Sequence, residues 1–155
     1  MDTNVIVSGV LYPGNESELL YRLIDGQFTN VTSNEMVAEL RTVLERPKFG
    51  LTPDSIDPVI GIIRALSEHV DDATIRQVVR EIKPSLPRKL DPGDLKVLVC
   101  SAAGRCQYLP TGDKELLELG SFLGCIILKP LDMVRIIDRY QVRHPLAQGQ
   151  KPPEH

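Results

Sequence analysis

The chain has 155 residues, 42% of them hydrophobic and 25% charged, with a formal net charge of −3. This length suits one soluble domain rather than two, and such a domain buries about 68–70% of the surface its unfolded chain exposes. The mild acidity argues against indiscriminate nucleic-acid binding, and there is no charged-then-apolar leader and no apolar stretch near the ~20 residues of a membrane helix, so a cytoplasmic protein is expected.

Along the chain, residues 5–12, "VIVSGVLY", begin as a β-branched apolar run and reach turn residues at Pro13–Gly14–Asn15. Leu19, Leu20, Leu23 and Ile24 have helical spacing and predict a helix over 16–26, stopped by Gly26. Phe28–Thr32 reads as a strand. Thr32 and Glu35 have capping-box spacing for the next helix, with Met36, Val37, Leu40, Val43 and Leu44 on its apolar face. Asp57–Pro58 reads as the cap and first residue of a third helix. Ile75–Ile82 fits a short helix or a strand and leads into a proline-broken loop, "KPSLPRKL". Asp91–Pro92 opens a helix to about Gly104 that is apolar on all sides and therefore expected to be buried. Residues 106–110 predict a strand, 113–119 a helix closed by Gly120, Cys125–Leu128 a strand, and 131–140 a final helix. Cys100, Cys106 and Cys125 form no CxxC pair and sit in apolar company, which predicts reduced, buried thiols. The expected organisation is one domain over 1–142 and a disordered tail over 143–155, Gln/Pro/Gly-rich from Pro145. Strands alternating with helices predict an α/β fold with a central parallel sheet covered by helices on both faces.

Four acids stand at or near the element junctions. Asp2 lies beside the first apolar run, Glu39 at the edge of a helix's apolar stripe, Asp94 in the first turn of the buried helix, and Asp113 after the 106–110 strand. In a parallel sheet, strand ends and helix starts share one edge, where ligands bind. Taken singly, Asp94 and Asp113 are more often helix caps than ligands, and Glu39 is more often a solvated charge. Taken together, each close pair would cost roughly 4 kcal/mol at an effective dielectric of about 20. A hard divalent cation such as Mg²⁺, which prefers oxygen ligands, would remove that penalty.

The stretches "MDTNVIVSGVLYPGNESELL", "TSNEMVAELRTVLERPKF", "LDPGDLKVL" and "LPTGDKELLELG" resemble, in order over residues 2 to about 135, the successive motifs of PIN-domain proteins. The resemblance is nearest to the VapC-like toxin components of toxin–antitoxin systems. It implies a Mg²⁺- or Mn²⁺-dependent ribonuclease with an antitoxin partner and a homodimeric state. Matched motif by motif, it implies that Asp2, Glu39, Asp94 and Asp113 are the catalytic, metal-binding residues. Under that reading Thr3, Asn4, Ser33 and Thr111 would orient carboxylates or waters, though each is equally a turn or cap residue. The chain departs from the family pattern in three places. Apolar residues usually precede "DTN" and form a central first strand, so that strand is expected to be cut short or the true start to lie upstream. Gly93 and Leu95 stand where acid and polar residues are usual, and Pro110 where a β-branched residue is typical.

Arg41, Arg46 and Lys48, and the run Arg135, Arg139, Arg143 and His144, could contact phosphates or simply form solvated faces. Two rival functions remain: a catalytically weakened PIN-like domain that binds and dimerises, and a Mg²⁺-dependent phosphotransfer domain. The second lacks the paired early acids that chemistry uses.

Overall fold

The first apolar run folds as a helix. The structure, a computed structural model, describes residues 1–144, and helix α1 spans Thr3–Leu11. Val5, Ile6 and Val7 would locally favour a strand. Burial of all three, together with the Asp2 cap whose Oδ1 accepts from the Asn4 N–H at 3.4 Å, overrides that preference. Helix α2, Asn15–Ile24, lies against α1 so closely that a Cβ on Gly9 would sit 2.7 Å from the Glu16 carbonyl oxygen.

Strand β1, Asn30–Ser33, leads into α3, Asn34–Leu44. The cap of α3 is Ser33, whose Oγ accepts from the Met36 N–H at 3.3 Å; Thr32, the expected cap, is buried within the strand. Helix α4 runs Pro53–Ala65, beginning before Asp57–Pro58. Pro53 takes the favoured first position, and Pro58 is tolerated inside because the carbonyl it leaves without a donor, that of Asp54, belongs to an exposed residue. Asp57 instead pairs with Arg41 Nη1 at 2.8 Å. Strand β2, Ser67–Val70, and helix α5, Asp72–Ile82, follow, so the ambiguous 75–82 segment is helical. A 3-10 turn at Lys83–Ser85 precedes α6, Pro92–Ala103. The remaining elements are β3, Tyr108–Pro110; α7, Lys114–Leu119; β4, Ser121–Phe122; β5, Cys125–Leu128; and α8, Pro130–Arg143. The tail from Pro145, expected to be disordered, lies outside the described residues.

The expected single parallel sheet is present in two pieces. Strand β1 pairs in parallel with β2, with Asn30 opposite Ser67 and Ser33 opposite Val70. Strand β3 pairs in parallel with β5, Tyr108 opposite Ile126, while β4 adds an antiparallel edge to β5. Between the pieces lies a cleft of about 690 Å³ lined by Met1, Asn30, Val31, Cys106, Tyr108 and Ile137 among others. Residues 1 and 2 bridge it at one end. The Met1 ammonium donates to Asn30 Oδ1 at 2.8 Å, and the Asp2 N–H donates to the Pro110 carbonyl at 3.3 Å.

Three apolar clusters hold these parts together. One unites α1 to α4 through Ile6, Leu23, Leu40, Leu44 and Ile56. The second joins Met36 to α6, β3, α7 and β5 through Leu98, Leu109, Leu116 and Ile127. The third seats α8 on α1 and α2 through Val5, Leu19, Met133 and Ile137. The site described next lies where the N-termini of α1, α6 and α7 are held by these clusters.

Candidate functional site

Three of the four junction acids are fixed by the helix starts on which they stand. Asp2 caps α1 and is buried at 5% exposure; besides Asn4 N–H, its Oδ2 accepts from Thr111 Oγ1 at 2.7 Å. Asp113 caps α7, its Oδ1 accepting from the N–H groups of Glu115 at 2.8 Å and Leu116 at 3.1 Å. Thr111 links the two, since the Asp113 N–H donates to its Oγ1 at 3.1 Å. Its hydroxyl thus gives its proton to one acid and accepts from the backbone of the other. Asp94 sits in the first turn of α6, whose cap is Asp91; Asp91 Oδ1 accepts from the Asp94 N–H at 2.9 Å. Free N–H groups and the positive end of each helix dipole stabilise these negative charges.

That stabilisation is incomplete at Asp94. Burial, followed by the nearby charges of Asp113, Asp91, Asp2 and Glu115, pushes its carboxyl up from 3.8 to about 6. Asp94, Asp113 and Asp2 therefore share one electrostatic neighbourhood, which Asp91 and Glu115 extend. These last two were not singled out in the sequence, where Asp91 reads only as the opening of a helix with Pro92; the structure places Glu115 in the first turn of α7. Glu39 reaches the same region from α3. Its Oε2 accepts from Thr3 Oγ1 at 3.2 Å, and its Oε1 lies 3.7 Å from where a Cβ on Gly93 would stand. The missing side chain at 93 leaves room for Glu39 and Asp91, whose Oδ1 would be 3.1 Å from that same Cβ.

The supporting residues divide. Thr3 and Thr111 hold carboxylates directly. Asn4 is exposed and contributes its backbone N–H to Asp2, and Ser33 is committed to capping α3.

All the donors are hard oxygens, and they crowd Asp94 enough to raise its carboxyl, which is the chemistry a Mg²⁺- or Mn²⁺-sized cation suits. The side chains are not drawn into a cage, however. Among the described residues no three His, Cys, Asp or Glu side chains converge closely enough to hold a metal ion. The donor set thus fits such an ion in kind, and its arrangement is open.

Other sequence candidates are engaged elsewhere. Arg41 pairs with Asp57 and with Glu45, the latter at 3.7 Å, and Lys48 lies over the Phe49 ring at 4.9 Å. Arg135 pairs with Asp132 at 3.6 Å, and His144 stacks near Tyr140 with ring centroids 4.6 Å apart. All three cysteines are free; Cys100 and Cys125 are buried and Cys106 half-buried. Burial pushes each thiol up, Cys125 to about 11, which leaves them unreactive at neutral pH. Among the described residues no helix is long and apolar enough to cross a membrane.

Fold and site together define an α/β domain with an acidic rim at its helix N-termini. The profile of the PIN domain matches residues 1–115, and the chain belongs to that family, whose members are generally nucleases. No curated protein and no solved structure matches the chain.

Proposed function

We propose that this chain is a metal-dependent endoribonuclease, acting in the cytoplasm as the toxin of a toxin–antitoxin pair. The observation that carries the reading is the crowding of Asp94 by Asp113, Asp91 and Asp2, within a family of nucleases. Mg²⁺ or Mn²⁺ would supply hydroxide from a bound water and offset charge building on the scissile phosphate. Asp2, Asp94 and Asp113 would hold the ion, with Glu39 bound directly or through water. Thr111 fixes the Asp2 carboxylate, the α7 N–H groups fix Asp113, and Thr3 steadies Glu39. Asp94, with its carboxyl near 6, would release its proton to solvent, where it still carries one, on holding the cation. The antitoxin partner and the homodimer rest on the sequence motifs. Tyr12, Tyr21 and Ile24 add exposed apolar surface on and beside α2 that such contacts could bury.

The test is cleavage of single-stranded RNA by the purified full chain with Mn²⁺ or Mg²⁺. Activity should vanish with a chelator and in Asp94→Asn. Cleavage indifferent to both would sink the metal reading. The open arrangement of the acids favours one alternative, a catalytically weakened PIN domain that binds and dimerises. A folded protein that cleaves no RNA under any divalent ion would point to that alternative.

A further inference from the structure

Between Arg76 and Leu90 the sequence carries five cations, Arg76, Arg80, Lys83, Arg88 and Lys89, against a single carboxylate, Glu81. All five are exposed, and among the described residues none forms an ion pair. Glu81 is occupied by Gln77, whose Nε2 donates to its Oε1 at 2.9 Å. The sequence candidates Arg41 and Arg135 are by contrast neutralised by partners.

The segment is fixed in place. Arg76, Arg80 and Lys83 are spaced i, i+4, i+7, which puts them on one face of α5 and its 3-10 extension. Ile82, Leu86 and Leu90 pack against the second apolar cluster, and Pro84 and Pro87 stiffen the stretch between them. The apolar residues thus pin the strap while its cations face water. Lys89 stands two residues before Asp91, so its Cα lies within about 7 Å of the α6 cap that adjoins Asp94.

We propose that this cationic segment is the track along which the phosphate backbone of single-stranded RNA reaches the acidic rim. The inference deepens the nuclease reading and rests on it for the identity of the polyanion. A substrate of linked phosphates approaching Asp2, Asp91, Asp94, Asp113 and Glu115 meets like charge. A cationic surface beside that rim, with five cations to one carboxylate, offsets the repulsion on the flanking nucleotides and leaves the rim acids free for a cation. Phosphate contacts of this kind position the strand without reading its sequence.

The experiment is fluorescence anisotropy of a labelled short oligouridine with the full chain in EDTA, over a range of salt concentrations, so that no cleavage occurs. The slope of log affinity against log salt should fall in magnitude by about 1.4 in R88Q/K89Q, or about 0.7 per lost phosphate contact. It should fall similarly in R76Q/R80Q, and stay at the wild-type value in R139Q/R143Q, which removes exposed cations from α8. Thermal melts of all three variants check that they are folded. A slope unchanged in both segment variants, an equal drop in the α8 control, or no binding by the wild type would overturn the proposal. Segment-dependent binding without any cleavage in Mn²⁺ would uphold the track and remove the nuclease reading. Cleavage with affinity indifferent to the segment would do the reverse.

Discussion

Asp94 is where the energetics of the rim concentrate. Unfolded, its carboxyl titrates at 3.8; folded, at about 6. Over that interval the native state holds the extra proton, so this residue's contribution to stability declines as pH rises from 3.8 to about 6, and the penalty is complete above it. Asp94→Asn removes the charge. The variant should melt higher than the wild type at pH 8, and the difference should close as pH falls below about 4. Millimolar Mn²⁺ at pH 8 should raise the wild-type melting temperature and affect the variant less. Melting curves over pH, with and without the ion, check all three. Thr111 offers a second handle at this scale. It is fully buried, and its hydroxyl serves both Asp2 and the Asp113 N–H. Thr111→Val keeps the shape and leaves the Asp2 Oδ2 short of a donor, at a cost of about 1–3 kcal/mol in denaturant unfolding. Cleavage should fall by about 10–100-fold, as for other residues that orient a metal ligand.

At the scale of elements, legibility followed the strength of local signals. Strand β5 matches its sequence reading end to end, because Cys125–Leu128 is a continuous apolar run bounded by Gly124 and Pro130. Helices α6 and α7 start where Asp91 and Asp113 cap them. The weak points were α4, whose Asp57–Pro58 imitates a helix start, and β2, whose polar "SEHV" carries no apolar pattern and exists through its pairing with β1. Of the rim acids, Asp91 and Glu115 were not singled out, while Asp2, Asp94 and Asp113 were legible as junction residues. Their hydroxyl partners were less so, because Thr111 and Asp2 are 109 positions apart and no local pattern announces the bond. Glycine 9 shows the same limit: nothing around it in sequence requires a glycine, yet a side chain there would strike the α2 backbone. Gly9→Ala should therefore destabilise the protein by about 1–3 kcal/mol, despite alanine's better helix propensity. A variant as stable as the wild type in urea would mean that the helices separate freely.

For the whole molecule, the division of the sheet matters most. The Met1 ammonium lies in the cleft between the two pieces, and burial holds it below the usual α-amino value of 8.0. A fusion that adds a few β-branched residues ahead of Met1 turns that ammonium into a neutral amide and offers backbone groups to β1 and β3. Its melting temperature should exceed that of the chain with a free amine; an equal or lower value would show that the cleft walls do not accept a strand. The gap also bears on behaviour at high concentration. Strands β1 and β3 are each the edge of their sheet and line the same cleft, and a sheet edge is an invitation to any extended chain, its own neighbours included. Light scattering should therefore show self-association that rises with concentration, with these two edges as the point of contact.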